Sequence, residues 1–272
     1  MPKLSIIIPT FNSETTIPKC LHSIRTQTFT DYEIVIQDGA STDRTVEVVQ
    51  EFGLQNPDIK IALQQVRDQG IFDAMNKGTH RATGEWLLFL GSDDELHDQD
   101  ALAKTIGSHD TTDCDVLYGN ALVIGKVSWA ADGTIYDGPF DLKKLLNRNI
   151  CHQAIFYKAE LLKQVGGYQQ KYVVVADWDL NMRCWAKGRF KYVDAVVANF
   201  HGGGNSSNHR PDPEFARDVT RNVIRYFNLS PNDPLINTSE FCGKRADDAR
   251  RAERITPRRI FRALARRLGI TG

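Results

Sequence analysis

No stretch of this 272-residue sequence approaches the roughly 20 consecutive apolar residues that cross a bilayer, so no transmembrane helix is expected. The N-terminus lacks a basic region followed by a long apolar one, which argues against a secretory signal; Ile6-Ile7-Ile8 is too short and reads as a strand. Cysteine is scarce. The five residues Cys20, Cys114, Cys151, Cys184 and Cys242 are scattered and never in CxxC spacing. That pattern argues against a disulfide framework or a zinc site and suits a reducing cytoplasm. Several glycine and histidine signatures are missing too. No GxGxxG follows the first apolar run and no GxxxxGK[ST] occurs, so neither a Rossmann dinucleotide site nor a P-loop is supported. His201-Gly202-Gly203-Gly204 has the form of an esterase oxyanion loop, but no GxSxG elbow supplies a nucleophile. His152 and His201 lack HExxH-type spacing, which argues against a zinc site made by protein groups alone.

What is present is an ordinary globular composition, 41% hydrophobic and 25% charged, in a chain long enough for one sizeable α/β domain or two small ones. The zero net charge hides an asymmetry. Residues 244–267 carry ten basic side chains against three acids, so an acidic body precedes a basic tail.

Strand and helix signals alternate at close spacing. Leu4 to Ile8 reads as a strand ended by Pro9, and Ile17, Leu21 and Ile24 follow at helical spacing with Ser13 as N-cap. Glu33 to Gln37 is a second strand. Val46 and Val49 continue a helical pattern for which Gly53 is the expected stop. Lys60 to Gln64 is a third strand, Ile71, Ala74, Met75 and Gly78 mark one helix face, and Trp86 to Leu90 is a fourth strand. This rhythm predicts an α/β fold with a mostly parallel sheet and helices on both faces. After about residue 112 the strands look shorter: Val116 to Tyr118, Ala121 to Ile124 and Ala154 to Tyr157, with helices at Leu142 to Leu146, Ala159 to Gln164 and Asp177 to Lys187, and a last strand at Phe190 to Val197.

In such sheets ligands bind beyond the carboxyl ends of the strands. Those ends are polar here: Thr10-Phe11-Asn12, Asp38-Gly39-Ala40-Ser41, Arg67-Asp68-Gln69-Gly70 and Ser92-Asp93-Asp94 should share one rim. The last is the most informative. Adjacent carboxylates at the end of a buried strand repel each other and pay for desolvation. A divalent cation bound to a nucleoside diphosphate offsets both, because hard cations choose carboxylate and phosphate oxygens. The alternative is a solvated helix cap.

In order and spacing the chain resembles glycosyltransferase family 2. The resemblance runs through Ser5-Ile6-Ile7-Ile8-Pro9-Thr10-Phe11-Asn12, Gln27-Thr28-Phe29, Glu33 to Ile36 and Asp38 to Thr45. It continues through Asp68 to Gly78, Ala82 to Trp86 and Ser92-Asp93-Asp94, covering roughly residues 3–205. Asp68 to Gly78 and Cys151-His152-Gln153 look most like the bacterial subgroup that decorates surface polysaccharides and glycolipids. The resemblance implies a GT-A fold, a UDP-, GDP- or dTDP-linked sugar donor, and inverting transfer to a glycan or lipid-linked acceptor. It implies donor contacts from Pro9, Thr10, Asn12 and Asp38, and also from Asp68, Gly70, Asn76 and Asp93. It places a divalent cation, Mn²⁺ or Mg²⁺, on Asp94 with a late contact from His201. Lys77 is either a phosphate contact or a solvated helix lysine. The catalytic base falls in Ala176-Asp177-Trp178-Asp179-Leu180: Asp177 aligns best and Asp179 competes, although Ala176 stands where the family has its first acid. His152, Trp178 and Asp179 are the expected acceptor side.

The implied layout is a glycosyltransferase domain over residues 1–210, with a nucleotide-sugar half to 112 and an acceptor half from 113, and a helical basic extension over 211–272. Ile260, Leu264 and Leu268 recur beside Arg258, Arg262 and Arg266, the pattern of a basic amphipathic helix. Such a helix at 255–270 would suit an anionic membrane surface, which makes the expected location cytoplasmic with a peripheral membrane contact. Packing on the acidic body or a subunit contact in a homo-oligomer are the other readings of that segment. No nucleic-acid partner is expected, since no aromatic platform accompanies the arginines. The absence of a QxxRW motif argues against a processive synthase. A sugar-1-phosphate nucleotidyltransferase and a non-catalytic nucleotide-sugar-binding adaptor are the competing function classes.

Overall fold

The computed structural model describes residues 1–202, 212–239 and 242. Its first half repeats strand and helix: β1 (Leu4–Thr10), α1 (Ile17–Arg25), β2 (Tyr32–Asp38), α2 (Thr45–Gln55), β3 (Lys60–Gln65), α3 (Ile71–Arg81) and β4 (Trp86–Phe89). The order β3-β2-β1-β4 is parallel throughout, with Thr10 opposite Asp38 and Asp38 opposite Gln65. β1, β2 and β4 are buried along their whole length because both faces of the sheet are covered. Alternation along each strand divides the apolar residues between the faces. Ile6, Ile8, Ile34, Ile36 and Leu88 join Ile17, Cys20, Leu21 and Ile24 of α1 and Val49 of α2 in one core cluster. Ile7 points the other way, against α3, where a Cβ on Gly78 would stand 2.5 Å from its Cγ2. Each such buried aliphatic side chain contributes on the order of 1.5–3 kcal/mol.

The second half is mixed. After the short β5 (Glu95–Leu96) come β6 (Val116–Ile124), β7 (Ile135–Tyr136), α4 (Leu142–Leu145), a 3₁₀ turn at His152–Ala154, β8 (Ile155–Lys158), α5 (Ala159–Val165), α6 (Ala176–Trp185) and β9 (Phe190–His201). The sheet continues from β4 through β8, β6 and β9 to β5, with β7 pairing off β6. β8 is antiparallel to both β4 and β6, whereas β9 runs parallel to β6.

Several local expectations are corrected. Helix α1 starts after Thr16, and Ser13 serves it only through a backbone oxygen that accepts from Thr16 and Ile17. Pro18 accounts for the later start, because proline suits the first helical turn. Gly53 does not stop α2, which runs on to Gln55. Ile71 opens α3 but is partly exposed, and Phe72 takes its place on the buried face. The two strands expected at 116–118 and 121–124 are one strand, interrupted by a bulge around Asn120. Extra residues bend the ladder there without ending it.

The chain divides into two compact units, Met1–Phe215 and Ala216–Gly272. In the second, α7 (Pro213–Phe227) arrives from the first unit, and α8 (Pro234–Thr238) is capped by Asp233, which accepts from the Leu235 N–H at 2.9 Å. Val219, Val223, Ile236 and Cys242 are buried. The basic segment 244–270 and Gly203-Gly204 lie outside the described residues.

Candidate active site

The parallel pairing of β1, β2 and β4 brings their carboxyl ends to one rim, and the loops there are tied together. Asp38 accepts from Thr10 Oγ1 at 2.9 Å, from the Ser41 N–H at 2.8 Å and from Ser41 Oγ at 2.5 Å. Asn12 has φ 50°, a left-handed conformation that asparagine tolerates, and its N–H donates to Ser41 Oγ at 2.8 Å. Ser13 Oγ lies 2.9 Å from Ser92 Oγ, which joins this cluster to the end of β4. Asp68 enters from beyond β3: a Cβ on Gly39 would stand 2.5 Å from its Oδ2, and its Oδ1 accepts from the Gly70 N–H at 2.9 Å. Asp38 and Thr10 are closed to solvent and hold the rim together, whereas Asn12 and Gly70 are exposed on it. Pro9 lies inside β1 opposite Gln37 rather than beyond it.

Gly91 shapes the acidic pair. Both carboxylates fold back over it, so that a Cβ would stand 2.6 Å from Asp94 Oδ2 and 2.8 Å from Asp93 Oδ1. Asp93 is exposed and Asp94 is 3% exposed. Asp94 Oδ2 accepts from Gln153 Nε2 at 2.7 Å and Oδ1 from the His201 N–H at 3.0 Å. No lysine or arginine pairs with it among the described residues. Burial first, and then repulsion from Asp93, push its carboxyl up to about 6, against the opposing pull of the His201 N–H, Gln153 and His152.

The second carboxylate is Asp177, in the first turn of α6. Its Oδ2 accepts from Asn149 Nδ2 at 2.8 Å and lies 3.4 Å from His152 Nδ1; its Oδ1 accepts from the Trp178 N–H at 2.8 Å. The segment Asn149 to Gln153 therefore touches Asp177 at one end and Asp94 at the other. Cys151 lies between them. Burial raises its thiol far above the ordinary range, and both Asp94 and Asp177 add to the rise.

The remaining expected site residues fall into other parts. Asn76 bonds Tyr168 through both ends of its amide, donating to the backbone oxygen at 2.9 Å and accepting from the N–H at 2.8 Å, so it ties α3 to the loop before α6. Asp179 is completely buried and ion-paired with Arg183 at 2.8 Å; this removes it both as a competing base and as an acceptor contact. Trp178 is 8% exposed, its indole N–H donates to Leu145 O at 2.7 Å and its ring stacks on Phe215, which is a packing role. His201 meets Asp94 through its backbone, while its imidazole Nε2 faces Glu95 Oε1 at 3.1 Å without hydrogen-bond geometry. Lys77 pairs with Asp73 at 2.9 Å and donates to Arg67 O at 2.9 Å. Sequence reading missed Asn149, Gln153 and Asn181 as site residues. Asn181 lies one helical turn beyond Asp177 and so was within reach of periodicity, whereas Gln153 only adjoins the quoted His152. Nothing local marks Asn149.

The donor set suits a hard cation. Gly91 lets two carboxylate oxygens converge over its backbone, and the buried one lacks a cationic side chain. No cluster of three or more candidate ligands occurs among the described residues, so phosphate oxygens and water would complete the shell.

Comparison with known proteins bears on this arrangement. The sequence model described as glycosyl transferase family 2 matches residues 5–165. A PGL/p-HBAD biosynthesis glycosyltransferase of Mycobacterium bovis is 43% identical over 222 residues, covering 79% of this chain and 83% of that one. A GalNAc(5)-diNAcBac-PP-undecaprenol β-1,3-glucosyltransferase of Campylobacter jejuni is 44% identical over 96 residues, 35% of this chain and 31% of its own. Among solved structures, TarS of S. aureus in complex with UDP-GlcNAc superposes with a TM-score of 0.66 at 22% identity, over 90% of this chain and 69% of that one. The mannosyltransferase PcManGT from Pyrobaculum calidifontis, in complex with GDP-Man and Mn²⁺, gives 0.60 at 18% identity, over 99% and 81%. These neighbours share the GT-A fold with this chain.

Proposed function

The chain belongs to glycosyltransferase family 2 and is a glycosyltransferase, and from that premise we propose that it moves one sugar from a nucleoside-diphosphate donor to a hydroxyl of a bacterial glycan or glycolipid, with inversion at the anomeric carbon. The observation that carries this reading is the bridge from Asn149 to Gln153, which joins Asp94 to Asp177. One carboxylate sits where an activated donor meets the parallel strands, and the other stands on the opposite side of the bridge, open enough to meet an acceptor. Inversion by single displacement needs that separation of tasks.

In the proposed reaction the acceptor oxygen attacks C1 of the donor sugar. Asp177 takes the hydroxyl proton as the new C1–O bond forms, the bond from C1 to the phosphate oxygen breaks, and the nucleoside diphosphate leaves with that electron pair. Asn149 and the Trp178 N–H hold the base in place by donating to it. Asp93 and Asp94 would hold Mn²⁺ or Mg²⁺, which as a Lewis acid stabilises charge on a leaving diphosphate. The exposed loops around Asn12, Asp68 and Gly70 are the proposed donor rim, backed by Asp38 and Thr10. UDP-GlcNAc and GDP-Man in the solved neighbours support a UDP- or GDP-linked sugar, and the undecaprenol-linked substrate of the Campylobacter jejuni relative supports a lipid-linked acceptor.

The basic segment 255–270 is proposed to hold the enzyme on an anionic surface beside such an acceptor. No helix among the described residues is long and apolar enough to cross a membrane. Flotation with anionic vesicles, comparing the full chain with one ending at residue 250, tests this: equal flotation of both overturns it.

The central test uses UDP- and GDP-sugars with Mn²⁺ and a lipid-linked acceptor, reading nucleotide release and the anomeric proton of the product. An inverted linkage is expected. Retention of configuration, or release without transfer across acceptors, overturns the proposal.

A further inference from the structure

Behind Asp177 runs a chain of hydrogen bonds that the transfer reaction does not by itself require. The Tyr157 hydroxyl, on β8, donates to Asn181 Oδ1 at 2.6 Å. Asn181 Nδ2 donates to Asn149 Oδ1 at 2.8 Å, and Asn149 Nδ2 donates to Asp177 Oδ2 at 2.8 Å. Tyr157 and Asn181 are completely buried, and Asn149 is half-buried at the site.

The direction of this chain is fixed at both ends. An amide can be turned to present oxygen or nitrogen, so a lone Asn beside a carboxylate can face it wrongly. Here Asn181 Nδ2 also faces the Ile150 backbone oxygen at 3.4 Å, and a carbonyl can only accept. Asn181 must therefore present its oxygen to Tyr157, whose hydroxyl then donates. At the other end an ionised carboxylate can only accept, so Asn149 must present its nitrogen to Asp177. The two constraints agree, and each link polarises the next in the same sense. The Asn149 backbone oxygen is held as well, accepting from the Tyr136 hydroxyl at 2.7 Å.

We propose that Tyr157, Asn181 and Asn149 are positioning residues for the base: a one-way donor relay, starting in the sheet, that keeps an N–H aimed at Asp177 Oδ2. It acts on the same site as the proposed transfer and rests on Asp177 being the base. The relay fixes the rotamer of the carboxylate, leaving its remaining lone pairs for the acceptor proton. A carboxylate at the mouth of a site otherwise swings freely and samples rotamers that miss the hydroxyl.

Other ionisable groups also face Asp177. His152 lies on the bridge, with Cys151 beside it. Tyr136, Tyr157 and Tyr168 feel its charge from the flanking strands and loop. The test must therefore change a relay member that does not itself touch the carboxylate. Tyr157→Phe deletes one oxygen and leaves the ring in place. Asn149→Ala, at a half-buried position, deletes the last link. For each variant, transfer is followed against pH, with nucleoside diphosphate binding as the check on folding. The acid limb of kcat/KM is expected to move up by about one pH unit in Asn149→Ala, since a hydrogen bond to a charged group is lost. It should move up by a few tenths of a unit in Tyr157→Phe, with kcat down about threefold and donor KM unchanged. A wild-type acid limb in Tyr157→Phe overturns the relay, whatever Asn149→Ala does. If Tyr157→Phe does not fold, the limb of Asn149→Ala decides: an unmoved limb overturns the relay, and a limb raised by about a unit supports it. Full activity in Asp177→Asn would be a different failure, that of the base assignment beneath it.

Discussion

Asp94 and Asp177 are carboxylates held by opposite means. Asp94, on the proposed donor side, is 3% exposed, lies beside a second carboxylate and receives only neutral donors. Asp177, on the proposed acceptor side, keeps 17% of its side chain exposed, with a histidine and two neutral donors around it. The first is a charge the protein leaves unbalanced, which suits a place for a cation. The second is a charge kept reachable, which suits a place for a proton. Asp179 shows the contrast within one helix: fully buried, it carries its own arginine and is structural.

The sharpest way to break this division is Asp177→Asn. An amide cannot take the acceptor proton, so transfer should fall by about 10²–10⁴-fold while nucleotide binding with Mn²⁺ stays near wild type. Equal loss of both would mean that Asp177 serves the donor side, and the comparison would collapse.

The next effect is on stability. Asp94 has its folded carboxyl raised from 3.8 to about 6. Between those values the folded state binds more protons at Asp94 than the unfolded one, so the contribution of this group is fully present below pH 4 and is lost as pH rises through 6. The full cost above pH 6 is about 3 kcal/mol. Glu33 works in another window: burial opposes ionisation, but Lys60, Ser5 and Thr83 hold it at about 2, so its contribution is lost only as pH falls toward that value. Denaturant midpoints at pH 4.5 and 7 in EDTA should differ for wild type and differ less for Asp94→Asn. Mn²⁺ at pH 7 should restore the wild-type midpoint. A flat wild-type profile in EDTA would show that the buried charge is already balanced.

Asn76 separates structure from donor binding. Asn76→Ala leaves the Tyr168 N–H and C=O without partners and should cost about 2 kcal/mol in denaturant unfolding, with donor KM unchanged. A raised KM with unchanged stability would return Asn76 to the donor rim.

How much of this was legible in the sequence follows from range. The parallel half was readable because each strand, loop and helix is local in sequence, and parallel pairing then carries every strand end to one rim without further information. The pairing Thr10 to Asp38 is of that kind. The second half is assembled by contacts across longer intervals: Gln153 reaches back to Asp94, and Asn149 forward to Asp177. No periodicity encodes such pairs. The same limit applies to Asn76 and Asp179, whose bonds to Tyr168 and Arg183 give them scaffold roles that the sequence did not announce. Arg183 stands one helical turn from Asp179 and could have been noticed; Tyr168 could not.

Gln153 is where the smallest effect should do the most to sharpen the comparison. It touches Asp94 alone of the two carboxylates, through Nε2, while its Oε1 accepts from the Cys151 thiol at 2.9 Å. Gln153→Ala removes one neutral donor from a buried anion without touching Asn149 or Asp177. Groups that orient a metal-binding carboxylate typically change metal affinity by 10–100-fold, and one neutral amide belongs at the low end. The Mn²⁺ concentration for half-maximal transfer should therefore rise about tenfold. At saturating Mn²⁺ the rate and its acid limb should return to wild type, because the base is untouched. If saturating Mn²⁺ fails to restore the rate, the two ends of the 149–153 bridge are one mechanical unit, and the separation of cation and proton tasks drawn from Asp94 and Asp177 would have to be given up.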